Sequence, residues 1–359
     1  MSALLLITGV ILFLTALGLV YRVFTLVSIA KDRKDKHVGL SNKVNAALFP
    51  IVFVLGFGAM FYYSGEYSEY FLPEAASEHG VRTDQMFWIS MAVISFAFFA
   101  TNLLLFLFPF QYQYKEGKKA KFYPDNHNLE IVWTVIPAIT MAGLVIFGYF
   151  EWDEMTMNQP EDAIEIEIMG KQFNWQVRYP GADGKLGKYN YMKIDGTNSM
   201  GVDFNDPASM DDFMPGTLHL PKGKNVVLKI RSRDVLHSVF LPHFRVKMDA
   251  VPGMPTSFYF KPTKSTQDMR EELSKDPLWA ELDEKGKPKW QSFNYELACT
   301  EICGNSHFAM KLRVVVDEEE DFNTWFANQK PWAQNNADYV KEKYAIDVKS
   351  LGDKVVAGK

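Results

Sequence analysis

The sequence predicts a membrane α plus all-β protein: four transmembrane helices followed by an exported β-sandwich. Three observations predict it. Four long apolar runs crowd into the first half of the chain, the loops between them alternate in charge, and from Glu151 onward the pattern changes to short alternating strands. A length of 359 residues accommodates a membrane part and one soluble domain. Hydrophobic residues make up 48% and Phe occurs 28 times, a composition that favours membrane contact. The net charge of −5 gives no reason to expect nucleic-acid binding. Two cysteines are too few for a disulfide framework.

The apolar runs are roughly Ala3–Tyr21, Val44–Tyr63, Met86–Phe110 and Ile131–Phe150. Each is close to the ~20 residues that a helix needs to cross a bilayer. The first is expected to be a retained span and not a signal peptide: no positive residue precedes it and no clean small-x-small cleavage site follows. Lys31, Arg33, Lys34, Lys36 and Lys43 separate the first two runs, and Lys115, Lys118, Lys119 and Lys121 the last two. The middle loop instead carries Glu66, Glu69, Glu74, Glu78 and Asp84 against Arg82. Basic loops stay in the cytoplasm, so the N-terminus and everything after Phe150 are expected outside.

The exported half reads as strands in AIEIEIMG, FNWQVRY, NVVLKIRS, SFYFKP and KLRVVV, separated by turn signals such as PGADGKLG and LPKGK. This is a sandwich or barrel pattern. Two polar stretches, about 181–215 and 263–292, read as inserted loops. The acidic run Asp317–Asp321 before FNTWFANQ predicts a closing helix with carboxylates at its N-terminus. The domain plan is therefore 1–65 and 66–150, each with two transmembrane helices, then 151–330 exported, then a tail at 331–359.

Both cysteines fall in ACTEICGNSHFAMKL, as Cys299 and Cys303, followed by His307 and Met310. A disulfide and a zinc site compete with copper for this cluster. Met is a poor zinc ligand, since zinc draws on Cys, His and carboxylates. Thiolate, imidazole and a weak thioether together point to copper electron transfer. A further imidazole has to come from elsewhere. His237, in the strand-like DVLHSVFLP, is the candidate; His219, at a strand edge, reads as solvated or capping, and His243, after Pro242, as structural.

DVLHSVFLP together with CTEICGNSHFAM closely resembles subunit II of haem–copper cytochrome c oxidases. MDAVPG and LEIVWTVIPAI extend the likeness over about Met86 to Trp325. The resemblance implies a cupredoxin-like Greek-key sandwich and a binuclear copper centre, CuA. Cys299 and Cys303 would bridge the metals, His237 and His307 would cap one each, and Met310 and the Glu301 carbonyl would be weak axial ligands. Phe308, Phe240 and Leu236 would keep the site dry. The resemblance also implies a magnesium ion, shared with subunit I and held in part by the Glu301 side chain, and a proton path whose mouth lies at Glu130. Electrons would arrive from a c-type cytochrome through an aromatic on the GKQFNWQVRYPG strand and leave for haem in subunit I. Here the chain departs from many relatives, which carry Trp where Phe173 stands; Trp175 remains.

Two other departures matter. Two spans precede the two that the family commonly has, and they are expected to contact other subunits or a neighbouring complex. No C-x-x-C-H occurs, so no fused c-type haem is expected in this chain. The implied location is a bacterial inner membrane, multi-pass, with the copper domain on the periplasmic side and lipid and other oxidase subunits as neighbours. Three rivals fit less well. A nitrous oxide reductase is soluble, a quinol oxidase subunit lacks the ligands, and a membrane-anchored copper-binding or assembly protein has no use for LEIVWTVIP.

Overall fold

The computed structural model describes residues 2–31 and 40–348; Arg33, Lys34 and Lys36 of the first basic loop, and residues 349–359, lie outside the described residues. The chain divides into two compact units. The first, residues 1–72 and 89–136, holds most of the helical part. Helices α1 (Ser2–Lys31), α2 (Leu40–Glu66), α3 (Glu78–Gln111) and α4 (His127–Thr156) are all long and apolar enough to cross a membrane. Each outruns its apolar sequence run. Hydropathy marks only the hydrocarbon-spanning stretch, whereas adding residues to an existing helix costs little. α2 packs on α3 through a ladder of phenylalanines: Phe53 lies 5.6 Å from Phe106, and Phe57 and Phe61 lie 5.2 and 5.5 Å from Phe99. α1 is tied to α2 by Tyr21, whose hydroxyl donates to the Asn45 side chain at 2.5 Å.

The second unit, residues 73–88 and 137–359, contains a two-sheet sandwich. Its strands are β1 (Ile164–Lys171), β2 (Asn174–Arg178), β3 (Leu218–Pro221), β4 (Val226–Ser232), β5 (His237–Leu241), β6 (Val246–Ala250), β7 (Thr256–Phe260), β8 (Tyr295–Cys299) and β9 (Lys311–Asp317). One sheet runs β2-β1-β4-β7 and the other β3-β9-β8-β5-β6. Non-sequential neighbours, with parallel β1–β4 and β3–β9 pairs inside otherwise antiparallel sheets, make this the cupredoxin-like sandwich. β3, β6 and β8 were not separable in the sequence, being only four or five residues long with little clean alternation. Ile166, Ile168, Leu228, Ile230, Val239, Leu241, Leu297 and Val314 are fully buried between the sheets.

The outer ends of α3 and α4 are fastened within this unit. Arg82 of α3 reaches Glu151 at 2.9 Å and Glu154 at 2.8 Å on α4. Arg245 pairs with Asp84 at 2.7 Å, and the Ala76 amide donates to the His243 carbonyl at 2.7 Å. These bonds fix where the chain leaves the sandwich for the membrane.

The stretch 263–292 is not a bare loop. It carries the short helices α5 (Thr266–Leu273), α6 (Pro277–Ala280) and α7 (Lys289–Ser292). α5 starts at a reciprocal cap, in which the Asp268 amide donates to Ser265 Oγ and the Ser265 amide to the Asp268 carboxylate. The predicted closing helix is α8 (Glu319–Ala327), with Glu319, Glu320 and Asp321 in its first turn. Trp325 and Phe326 stack it on Tyr179 and Phe213.

Of the two glutamates in β1, Glu165 is partly exposed beside Lys229. Glu167 is 3% exposed. The cause is the 181–215 stretch, which lies over the outer face of β1 with the segment after Pro331, helices α9 (Trp332–Asn335) and α10 (Ala337–Tyr344). Met169, Met200, Val202, Phe204, Ala333 and Val340 form this second core. Beneath it Arg178 binds Glu167 at 2.5 Å and Asp212 at 2.6 Å, and Arg231 also binds Glu167. Burial alone would raise the Glu167 carboxyl, but the two guanidinium groups outweigh it and hold it below the usual carboxylate range.

Candidate metal centre

The histidine and the two cysteines come from different strands and one loop, and strand pairing brings them together. β5 and β8 pair antiparallel with Val239 opposite Cys299. His237 lies two residues from Val239 and so on the same face of the sheet. Past Cys299 the chain leaves the sheet, loops back through a short 3-10 turn at His307–Ala309 and re-enters as β9. Both cysteines are free, with their sulfurs 4.0 Å apart, so the pair is not a disulfide.

Around the sulfurs the donors converge. Cys299 Sγ lies 3.8 Å from His237 Nδ1, and Cys303 Sγ lies 3.5 Å from His307 Nδ1 and 3.8 Å from Met310 Sδ. The Glu301 carbonyl accepts from the Cys299 thiol at 3.3 Å. His237, Cys299 and Cys303 are all buried and their donor atoms lie within 4.8 Å of one another. His237 Nε2 is 2.8 Å from Asp234 Oδ1. A carboxylate on the far ring nitrogen is what orients a metal-binding imidazole and leaves Nδ1 free to donate.

Charge makes the same case. Burial and the neighbouring Cys299 push the Cys303 thiol up to about 11. Two thiolates this close in a buried site repel each other, and only a cation between them makes the pair stable as ligands. The residues therefore fit a soft metal.

The strand β1–β2 connection closes the site from the other sheet. Trp175 stacks edge-on to His237 at 5.9 Å, and its indole N–H donates to the Met310 carbonyl at 3.4 Å. A Cβ on Gly170 would sit 2.9 Å from the His237 ring, so only glycine lets β1 approach this closely. Gly304 has φ +134°, and a Cβ there would sit 2.9 Å from the Phe173 ring. Phe173, about a third exposed, thus lies directly over the cysteine loop.

The apolar residues expected to seal the site do not bury themselves. Phe308 is 81% exposed and Leu236 48%, and Ile302 beside Cys303 is 85% exposed. They form an apolar rim that stands in solvent next to the ligands. Glu130 belongs elsewhere: it opens α4 in the first unit, exposed and 4.0 Å from His127. His219 is held by Asp317 at 2.6 Å and stacked on Trp325, and His243 packs against Phe293 and Tyr295. Neither joins the cluster.

The sequence profile of the family described as cytochrome c oxidase subunit II matches this chain twice: the transmembrane domain over residues 65–149 and the periplasmic domain over residues 164–266. The alternative cytochrome c oxidase subunit 2 of Bradyrhizobium diazoefficiens is 34% identical over 249 residues, covering 69% of this chain and 78% of that protein. The chain belongs to the cytochrome c oxidase subunit II family. It is a subunit of a haem–copper oxidase, an oxidoreductase, and the family implies a copper centre. The cytochrome c oxidase subunit 2 of Thermostichus vulcanus is 27% identical over 282 residues, covering 71% of this chain and 77% of that protein. Among solved structures, the periplasmic domain of subunit II of cytochrome oxidase from Bradyrhizobium japonicum aligns with 24% identity over 46% of this chain and 93% of that one, at a TM-score of 0.29. The profile match to the periplasmic domain includes His237 and stops before Cys299.

Burial, with a smaller push from Arg245, drops His243 to about 4. The sign follows. The unfolded chain takes up this proton below pH ~6.5 while the fold refuses it until near 4. Stability from this group is full above pH ~6.5 and is lost as the pH falls toward 4, by about 3 kcal/mol at ~1.4 kcal/mol per tenfold change in proton affinity. Thermal melts between pH 4 and 7 should show His243→Gln losing less stability on acidification than the wild type. Parallel losses in both would place the acid sensitivity on other groups.

Proposed function

We propose that this chain is the CuA-bearing electron-transfer subunit of a terminal respiratory oxidase. The convergence of His237, Cys299, Cys303, His307 and Met310 carries the reading. Cys299 and Cys303 would hold the coppers together with His237 and His307, and Met310 and the Glu301 carbonyl would be weaker donors that tune potential more than they hold metal. When bound, such a centre would supply a one-electron site. The buried, strand-held donor set keeps ligand motion small on reduction, which lowers the reorganisation cost of transfer.

Electrons come from a c-type cytochrome and pass to haem in subunit I, where oxygen is reduced. The apolar rim of Leu236, Ile302 and Phe308 suits the donor contact, with the part-exposed Phe173 over the cysteine loop as an aromatic bridge and the buried Trp175 edge-on to His237. The Glu301 side chain, a hard carboxylate with no role toward soft copper, would help hold a magnesium ion shared with subunit I. Glu130 stands at the mouth of a proton path, exposed at the head of α4 on the side of the basic loops. The membrane is the bacterial inner membrane, with the N-terminus and copper domain outside. The family-type spans fall in 66–150, and the spans of 1–65 serve as contacts for other membrane subunits.

The deciding experiment is metal analysis with electron paramagnetic resonance on the purified chain. Two coppers per chain sharing one unpaired electron are expected; a single-copper hyperfine pattern, or zinc in the folded domain, sinks the reading. Cys299→Ser and Cys303→Ser should each abolish the shared signal, while Met310→Leu should keep copper and shift its potential. Glu130→Gln should slow turnover of the assembled oxidase and leave reduction of the copper centre by the donor intact. Equal slowing of both would point to assembly instead.

The donor has its own test. From Glu151 onward the chain has 33 acidic and 27 basic residues, yet the rim is apolar, Arg233 beside it is exposed, and Asp234 is taken up by His237 and Gln172. A cytochrome domain held in the same assembly needs little charge steering, because tethering raises its effective concentration. Turnover with soluble cytochrome c should be slow and only weakly salt-dependent, and faster in intact membranes. Fast turnover that falls steeply with ionic strength would overturn the tethered donor.

A further inference from the structure

Gln172 makes two contacts that belong to different halves of the metal centre. Its main-chain N–H donates to Asp234 Oδ2 at 2.8 Å, and Asp234 Oδ1 lies 2.8 Å from His237 Nε2. Its side-chain amide donates to the Cys303 carbonyl at 2.5 Å. Gln172 sits in the two-residue connection between β1 and β2, on the sheet opposite the one that carries His237 and Cys299. One residue therefore spans from the support of the first imidazole to the backbone of the second thiol.

The second contact is the more telling. After Cys303 the chain must turn at Gly304, whose φ of +134° few side chains adopt. The space a Cβ would need there is filled by the Phe173 ring at 2.9 Å and by Gln172 Nε2 at 3.0 Å. The loop is tied to β5 where it begins, the Thr300 amide donating to the Ser238 carbonyl at 3.2 Å, and Cys303 lies three residues beyond that bond. The orientation of the Cys303 peptide, and with it the direction of the Cys303 thiol toward Cys299, depends on the Gln172 donor. A packing role for Gln172 would need only its methylenes; the amide does something that an apolar side chain of the same length cannot.

We propose that Gln172 is a positioning residue that holds the Cys303 side of the copper centre in register with the His237 side. It rests on the copper reading above. The two contacts fail separately. Replacing the side chain removes the bond to Cys303 and leaves the main-chain bond to Asp234 in place. The His237–Cys299 side then keeps its geometry while the Cys303–His307–Met310 side loosens. With one side held less firmly than the other, the two donor sets would no longer be matched closely enough for one electron to be shared.

The test uses the full chain, copper-loaded in detergent, with copper content, hyperfine pattern and the melting of the copper-free chain as readouts. Gln172→Met keeps length and apolar contact and removes the donor. Gln172→Lys restores a donor at the end of a similar stem. The Met variant should melt like the wild type, fall toward half the wild-type copper content and show the hyperfine pattern of a single copper. The Lys variant should recover the shared pattern. A shared pattern retained in Gln172→Met overturns the proposal, and so does a loss that Gln172→Lys fails to rescue. Where Gln172→Met does not fold, Gln172→Glu serves in its place, since it keeps the shape and turns the donor into an acceptor. A wild type without the shared signal removes the copper reading itself; a wild type with it, beside an unchanged Met variant, removes this inference alone.

Discussion

The pairing of β5 with β8, Val239 opposite Cys299, is the constraint on which the site depends. It sets a histidine and a cysteine that are 62 residues apart in sequence to within 3.8 Å. Side chains alternate across a strand, so a slip of one residue would turn His237 to the other face and leave Cys299 without its partner. The register is protected by burial. Val239 and Leu241 on β5, and Leu297 on β8, are fully enclosed between the sheets, and a slip would expose them or bury their polar neighbours. At about 25 cal/mol per Å² of apolar surface, several such side chains outweigh any gain from a shifted ladder. The metal centre thus draws its precision from ordinary core packing.

What was legible in the sequence follows from the range of each interaction. Cys299, Cys303, His307 and Met310 fall within a dozen residues, so their spacing alone suggested one site. The four helices were visible because a membrane span is a local property of composition. His237 could be assigned from its motif but not from periodicity. The burial of Glu167 was not legible, because the alternation of β1 says which face it occupies and nothing about what covers that face. Its cover comes from Met200, Val202 and Phe204, and from Ala333 and Val340 still further along the chain. The rim was misjudged for a related reason. Phe308 and Leu236 look like core residues by type, but they sit at loop positions where the chain turns out of the sheet. Gln172 gave no signal at all, since neither of its bonds has a partner within fifty residues.

The buried charge cluster under the second core illustrates a cost the fold accepts. Arg178, Arg231, Glu167 and Asp212 are each at most 6% exposed, and together their formal charges cancel. Such a set is not an efficient source of stability, because desolvating four ions consumes most of what their attraction returns. It is, however, demanding about geometry. Arg178 also donates to the Gly187 carbonyl and Arg231 to the Met200 carbonyl, so the 181–215 stretch is tied at Gly187, Met200 and Asp212 to β2 and β4 by directional bonds. An apolar patch could hold that stretch in many sliding positions. The charged set admits one. β1 runs on from this cluster to Gly170, which touches His237, so the placement of the second core and of the metal centre share a strand.

The same separation of tasks appears in how the centre meets a donor. Rapid capture of a diffusing partner is served by long-range charge, and efficient transfer by a close, dry contact. Two acids around His237 are already committed: Asp234 to the imidazole and to Gln172, and Asp249 to Ser238 at 2.7 Å. Beside them Leu236, Ile302, Phe308 and the edge of Phe173 are exposed apolar groups that a partner can meet. Such a surface gives little guidance at a distance and good contact on arrival. A site built this way works well when something else supplies the encounter. Two further membrane spans on the same chain, α1 and α2, leave most of their described apolar surface exposed, and contacts between that surface and neighbouring subunits would let a tethered donor raise the electron-transfer rate.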